Sequence, residues 1–396
     1  MAIENAKSTQ VGLTGNSAVA LAMKQINPDV CPAYPITPST AIIETFSSYV
    51  ADGEVDTELI TVESEHSAMS ACIGAAAAGA RVMTATSSQG LALMWEMLYI
   101  ASGLRLPIVI TNVNRALAAP INIHCDHSDS MGARDSGWIQ IYSETVQESY
   151  DNMFMAVRIA EKVKLPAMVC LDGFITSHAI ENMETIEDAD VQAFVGEYDP
   201  EVSLLKQSEH PISIGAMSMP DSYMVFKKQQ SEAMSRAKTV VEEVSAEFAE
   251  KFGRKYGLID SYMIDDADVA IVIFNSATGT TRVAVDELRK EGHKVGVVRI
   301  RLFRPLPHAE IAEALSGLKA VACLDRVDSF NDFGGPLFNE VRSSIYDLNE
   351  RPTVISRIYG LGGRDYKVSD ARSVFEELLK VVETGKVEER TKYITM

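Results

Sequence analysis

The sequence is poor in paired cysteines, in long apolar runs and in positive charge, and each shortage closes off a class of function. Its five cysteines, Cys31, Cys72, Cys125, Cys170 and Cys323, include no pair at CxxC spacing. Three stand in apolar strand- or helix-like runs, where a free thiol behaves as a small hydrophobe. No iron–sulfur or zinc framework is expected in this chain, no metal site is assigned, and a reducing, cytoplasmic compartment is the expectation. No apolar run reaches the roughly 18–20 residues that span a bilayer. The opening MAIENAKSTQ has no apolar core behind its lysine, so neither a membrane anchor nor a signal peptide is expected. Lysine and arginine number 36 against 55 aspartates and glutamates, a net charge of −19. That is the wrong sign for a nucleic-acid surface. A basic electron carrier as partner is compatible with it.

What is present points to a two-domain α/β chain. With 396 residues, 46% hydrophobic and 23% charged, there is apolar mass for two cores. Strands are expected at Val30–Ala33, Leu59–Val62, Arg81–Thr84, Ile108–Val113 and Ala167–Leu171. Between them lie helical stretches rich in Ala, Met and Leu. This alternation predicts a mostly parallel sheet with helices on both faces, with active residues gathered at the carboxyl ends of its strands. The first domain is placed at 1–235. It includes an extended polar excursion over 181–220. A helix predicted over 221–256 carries Val241, Val244, Phe248 and Phe252 on one stripe, and its later part, 236–258, is read as the bridge. The second domain, 259–396, has strands at Ala267–Asn275, Lys294–Ile300, Ala320–Leu324 and Val354–Tyr359. It ends in a polar arm over 383–396, expected to lie on a partner or on solvent.

Five segments hold residues that could carry chemistry. In Tyr34-Pro-Ile-Thr-Pro-Ser-Thr40, two prolines fix the backbone around Thr37 at a strand's end. A plain turn with Ser39 or Thr40 as N-cap explains it equally well. In Glu63-Ser-Glu-His66, the helix dipole suits both carboxylates and capping suffices for Glu63. Glu65 faces a helix of almost nothing but small residues, so it needs a bonding partner to be buried. Asn114-Arg115 closes an apolar strand, and Arg115 there could present its planar fork to a carboxylate or make a surface salt bridge. His124-Cys-Asp-His-Ser-Asp129 is too compact to wrap one ion and reads as a polar loop against a partner or the site mouth. Tyr359-Gly-Leu-Gly-Gly-Arg-Asp365 lacks the spacing of a dinucleotide fingerprint and reads as a tight turn.

Taken together, these and neighbouring segments resemble the 2-oxoacid:ferredoxin oxidoreductase family. The segments are GNSAVA (15–20), AYPITPST (33–40), ESEH (63–66), TSSQGLALM (86–94), NRALAAP (114–120), DHSDSMGARDSGWIQ (126–140), LDGFITSH (171–178), FRP (303–305) and GLGGRD (360–365). The resemblance implies a thiamine-enzyme pyrimidine-binding domain followed by a transketolase C-terminal-like domain, in an alpha subunit. It further implies that Glu65 sits beside the aminopyrimidine, where a carboxylic group at N1′ helps to deprotonate the cofactor at C2. Pro35 and Ile36 would line the cofactor, and Thr37 and Arg115 would bind the 2-oxoacid. The diphosphate and its magnesium need a GDG motif, and this chain has only Leu171-Asp172-Gly173. Those groups, like the [4Fe-4S] clusters, are thus expected on partner subunits (beta, gamma and delta), with coenzyme A as co-substrate and ferredoxin as acceptor. Pyruvate is the expected substrate, with Ile36, Leu117 and Ile121 closing around its methyl group. Branched-chain 2-oxoacids, 2-oxoglutarate and oxalate are the nearer alternatives, and a non-catalytic scaffold or an NAD dehydrogenase the more distant ones.

Overall fold

The computed structural model describes residues 8–206 and 211–396. The opening residues 1–7 and part of the polar excursion, 207–210, lie outside these residues. The first sheet has five strands in the order Leu302–Arg304, Ile139–Tyr142, Ala167–Asp172, Val109–Asn114 and Met83–Thr86. All are parallel except Leu302–Arg304. Val30–Ala33 pairs with Glu58–Thr61 and extends this layer through a bridge from Val30 to Val82. Because side chains alternate along a strand, Val109 and Val113 enter one core, with helices Gly15–Ile26, Thr40–Ala51 and Val146–Val163. Ile110 enters the other, with helices Glu65–Ala78, Ser88–Leu93 and Trp95–Gly103. The parallel α/β layer with helices on both faces is as expected.

The second sheet runs in the order Thr391–Tyr393, Thr353–Ile358, Ala320–Asp325, Val269–Ile273, Val295–Ile300 and Ile259–Tyr262, with only the last antiparallel. One apolar cluster is common to both domains: Met168 and Cys170 of the first sheet share it with Val272, Val298 and Val321 of the second. The FRP segment contributes Phe303 to this cluster, and its strand pairs with Ile139–Tyr142 of the other sheet. The two sheets are thus tied by backbone as well as by packing.

Several expectations need correction. The excursion opens with ordered structure: Ile180–Ile186 pairs antiparallel with Ser8–Thr14, and Asp188–Val195 is a helix. Ile180–Ile186 reads as polar because the strand exposes one face. Pro220–Phe252 is one continuous helix, so a bridge beginning at residue 236 starts inside it. Val241, Val244 and Phe248 are buried as the stripe predicts. The terminal arm does not stand away from the body. Thr391–Tyr393 adds a parallel strand to the edge of its own sheet, and Arg390 donates to the carbonyl of Val354.

Candidate functional site

The carboxyl ends of Val30–Ala33, Met83–Thr86 and Val109–Asn114 converge on one region of the first domain. Ser64 caps the helix that starts at Glu65, accepting from the Ser67 N–H at 3.2 Å. Glu63 lies outside this cap, exposed, and takes the Ser67 hydroxyl at 2.7 Å, which lowers its carboxyl pKa. Glu65, two residues on, is 7% exposed, and its carboxylate has no hydrogen-bonding partner among the described residues. Gly90 packs directly against it: a Cβ there would lie 2.9 Å from Glu65 Oε1 and would also strike the Thr86 hydroxyl. Thr86 Oγ1, Ser87 Oγ, Gln89 Nε2 and both amide atoms of Asn112 are buried and unpartnered. Such groups are costly to leave unbonded, which marks this region as the candidate site.

Thr37 and Arg115 meet. Arg115 is 6% exposed; its Nη1 donates to the Thr37 carbonyl at 2.9 Å and its Nε to the Asn122 carbonyl at 3.0 Å. No carboxylate pairs with it among the described residues, so the surface salt bridge finds no support. Its Nη2 has no partner among them and remains open to an anion. The Thr37 side chain is likewise without a partner among the described residues, and exposed. The turn beneath is held from three sides. Ser39 does not cap the next helix; its hydroxyl turns back to the Ile36 carbonyl at 2.8 Å. Asn16 of GNSAVA donates to the Pro38 carbonyl at 2.8 Å. Gly173 lets Pro38 and the Asn114 carbonyl approach where a side chain would collide. Pro35 is exposed and Ile36 half-buried on the same turn. Leu117 is half-buried, but Ile121 is 79% exposed and forms no pocket wall within this chain, because residues 118–121 project outward.

The His124–Asp129 loop reaches the turns at Ser88 and Arg115 through Asp129. It packs against the chain's own second domain. Gly362 and Gly363, both at positive φ, admit Asn122 and His124 at close range, and the Gly363 N–H donates to the Cys125 carbonyl at 2.7 Å. The tight-turn reading of that glycine run holds. Cys125, His127 and Asp172 come together, fully buried, in a group that could suggest a metal. The donors already present argue otherwise. Asp172 Oδ1 takes His127 Nε2 at 2.7 Å and Asn275 Nδ2 at 2.8 Å, its Oδ2 takes the Ser276 hydroxyl, and Arg326 faces it at 3.9 Å. Burial pushes this carboxyl up, but Arg326, His127 and Ser276 overcome burial and hold it well below the usual carboxylate range. Its acceptors are filled by His127 of its own domain and by Asn275 and Ser276 of the second.

Sequence reasoning also missed Ser88, Gly90 and Asp129. Asp129 accepts the backbone N–H of both Ser88 and Arg115. The only signal for it was a run of short polar residues between two buried strands, in which one acid cannot be told from the next.

Comparisons with known proteins agree with this layout. Residues 21–246 match the family model for pyruvate flavodoxin/ferredoxin oxidoreductase, thiamine-diphosphate-binding, and residues 267–371 match that for pyruvate:ferredoxin oxidoreductase core domain II. Pyruvate synthase subunit PorA of Thermotoga maritima is 53% identical over 93% of this chain and 94% of its own length. Ketoisovalerate oxidoreductase subunit VorA of Pyrococcus abyssi is 46% identical over 96% of each. Among solved structures, a 2-oxoglutarate:ferredoxin oxidoreductase from Magnetococcus marinus superposes with a TM-score of 0.73 at 22% identity. The match covers 93% of this chain and 65% of that one. A split-gene transketolase superposes at 0.55 and 13% identity, over 93% and 99%. These two establish the likeness of fold alone. One family model spans more than half of the residues, and the PorA and VorA relatives match over nine-tenths of the length. The chain therefore belongs to the pyruvate flavodoxin/ferredoxin oxidoreductase family.

Proposed function

We propose that this chain is the alpha subunit of a multi-subunit pyruvate:ferredoxin oxidoreductase, supplying the pyrimidine side of a thiamine diphosphate site shared with a partner subunit. The observation that supports this most is the condition of Glu65, a buried carboxylate without a partner among the described residues, packed against Gly90 and beside orphaned hydroxyls. A flat heteroaromatic ring with a basic nitrogen fits that combination. Gly90 lets the Glu65 carboxylate lie close against its helix, and Glu65 shares a proton with the ring nitrogen. When bound, thiamine diphosphate supplies a carbon nucleophile and electron sink for decarboxylation of a 2-oxoacid.

This chain's own residues then do the following. Glu65 holds the proton at pyrimidine N1′. Arg115, anchored by two carbonyls, offers Nη2 to the substrate carboxylate, keeping it in a near-attack pose. The Thr37 hydroxyl donates to the substrate oxygens, and Pro35 and Ile36 form the adjoining wall. Asp172 is bonded on both oxygens and is not free for magnesium. The diphosphate end and its magnesium are therefore assigned to the beta subunit, and the [4Fe-4S] clusters to partners among beta, gamma and delta. On this reading pyruvate and coenzyme A give acetyl-CoA and CO2 in the cytoplasm, with electrons passing to ferredoxin, reversibly in principle. No helix among the described residues is long and apolar enough to cross a membrane. The part through the helix Pro220–Phe252, whose buried face packs in the first core, is the pyrimidine-binding domain, and 259–396 is the transketolase C-terminal-like domain.

A branched-chain substrate is the second reading. It draws on the VorA relative and on the exposed Ile121, which leaves closure around a methyl group to a partner. Reconstituting the complex and comparing kcat/KM across 2-oxoacids, with coenzyme A and ferredoxin fixed, decides between them. Pyruvate should lead. 2-Oxobutyrate should follow with a value lower by about tenfold or somewhat more, since an apolar pocket separates substrates by only about 1–3 kcal/mol per methylene. A higher value for 2-oxoisovalerate would overturn the substrate and spare the family.

A further inference from the structure

One carboxylate stands between the cofactor side and the substrate side of the site. Asp129 is buried at the start of the short helix Ser128–Gly132. Its Oδ2 accepts the backbone N–H of Ser88 at 3.0 Å and of Arg115 at 3.1 Å. Its Oδ1 accepts Asn114 Nδ2 at 2.8 Å and the Ser130 N–H at 2.7 Å. No lysine or arginine pairs with it among the described residues. Burial raises its carboxyl pKa, against the pull of these four N–H groups. A buried acid bonded by neutral donors alone is a costly way to close a loop.

The two backbone groups that it joins have separate tasks. Ser88 adopts φ +48°, in the left-handed region, and from there the chain turns out of Met83–Thr86 into the helix that sets Gly90 against Glu65. Arg115 begins the turn after Val109–Asn114, and its N–H fixes the root of the guanidinium that reaches the Thr37 carbonyl. A single Oδ2 thus holds both turns at one separation. We infer that Asp129 is a positioning residue that sets the distance between the cofactor-side carboxyl of Glu65 and the substrate-side fork of Arg115. This rests on the function proposed above.

Asp129→Asn conserves shape but replaces one oxygen by an NH2 group, so either the Ser88–Arg115 pair or the Asn114–Ser130 pair must face a donor. In the reconstituted complex, KM for the 2-oxoacid should rise and kcat/KM should fall about 10- to 100-fold, the scale of a small misplacement of reacting groups. A merely structural role would lower the active fraction, and so kcat, without moving KM. The decisive measurement is a double-mutant cycle with Arg115→Lys. If Asp129 acts through Arg115, the double variant should be within about threefold of Arg115→Lys alone. Losses that multiply, or an unchanged KM, overturn the positioning role. Should Asp129→Asn fail to assemble, Asp129→Glu keeps the charge and displaces the carboxylate by one methylene, and the same cycle is read the same way. A wild-type complex inactive on every 2-oxoacid would instead overturn the proposed function, so the two failures are distinct.

Discussion

The strand ends around Glu65 and the junction between the two sheets are both buried and polar, yet they treat their carboxylates in opposite ways. At the junction, Glu148 takes both Arg299 Nη1 at 2.5 Å and Nη2 at 3.1 Å, with Arg301 Nε at 3.2 Å. Asp172 is filled on both oxygens. The orphans left there are chiefly nitrogens of Arg299, Arg301 and Arg326, each facing a carboxylate, with His127 Nδ1 and Asn275 Oδ1 besides. Around Glu65 the orphans are Thr86, Ser87, Gln89 and Asn112, and no cation among the described residues answers the carboxylate. At the junction both carboxylates are answered by cations, and the two domains are held together; at Glu65 the carboxylate is unanswered, which is what the proposed site requires.

The contrast is broken most severely at Glu65. Glu65→Gln keeps the shape and removes the acid. Exchange of the C2 proton of bound thiamine diphosphate should slow by about 10²- to 10⁴-fold, the range for losing a positioned acid–base group, while assembly is unchanged. NMR measurement of that exchange is the check, and an unaltered rate would remove Glu65 from the chemistry.

At the junction the expected effect is on stability. Glu148→Gln leaves Arg301 buried without its anion and Arg299 with only the more distant Glu144 and Asp260, which costs up to about 3–5 kcal/mol and should appear as a lower denaturant midpoint. The surviving complex should keep its KM. Burial pushes the Glu148 carboxyl up, but Arg299 and Arg301 outweigh burial and leave it lowered. A depressed folded-state value contributes stability that is present above the ordinary carboxylate range and is lost as pH falls through that lowered value. The gap between wild type and variant should therefore narrow in acid. A gap that widens there would mean Glu148 is not the stabilised anion.

Arg115 lies between the two regimes, anchored on one side and open on the other. Lysine conserves charge but loses the planar fork. A lost charge-assisted hydrogen bond costs about 1.5–3 kcal/mol, roughly tenfold to more than a hundredfold in kcat/KM. If Arg115→Lys shifted only the melting temperature, its bonds to Thr37 and Asn122 would be its whole function.

How much of this could be read from the sequence follows the same division. Val109–Asn114 and Ala167–Asp172 were legible because continuous burial writes continuous apolar runs. Ile180–Ile186 and Thr391–Tyr393 were not, since each exposes a polar face and owes its existence to a distant strand. Glu65, Thr37 and Arg115 were identified through motif resemblance, and local pattern alone left each with an ordinary structural explanation. Asp172 could be set aside for the diphosphate because a motif glycine was missing; that its oxygens are taken by Asn275 and Ser276, more than 100 residues later in the sequence, is a tertiary fact. Asp129 differs from Asp126 only in where its loop folds: both accept local bonds, and only Asp129 reaches Ser88 and Arg115.

The finest form of the comparison lies within four residues. Glu63 and Glu65 stand on either side of the capping Ser64, and the helix dipole favours both. Glu63 is in solvent and already accepts the Ser67 hydroxyl; its lowered pKa comes first from that bond. Glu65 is buried against Gly90 and accepts nothing among the described residues. If position in the motif determined function, Glu63→Gln would resemble Glu65→Gln. If burial and the absence of a partner determine it, Glu63→Gln should leave C2 exchange and kcat/KM within about twofold of wild type, as exposed substitutions generally do. The same exchange and turnover assays, run on both variants side by side, separate the cases. A large loss at Glu63 would show that the helix start acts through its summed charge, and the argument from the unpartnered Glu65 carboxylate would fail with it.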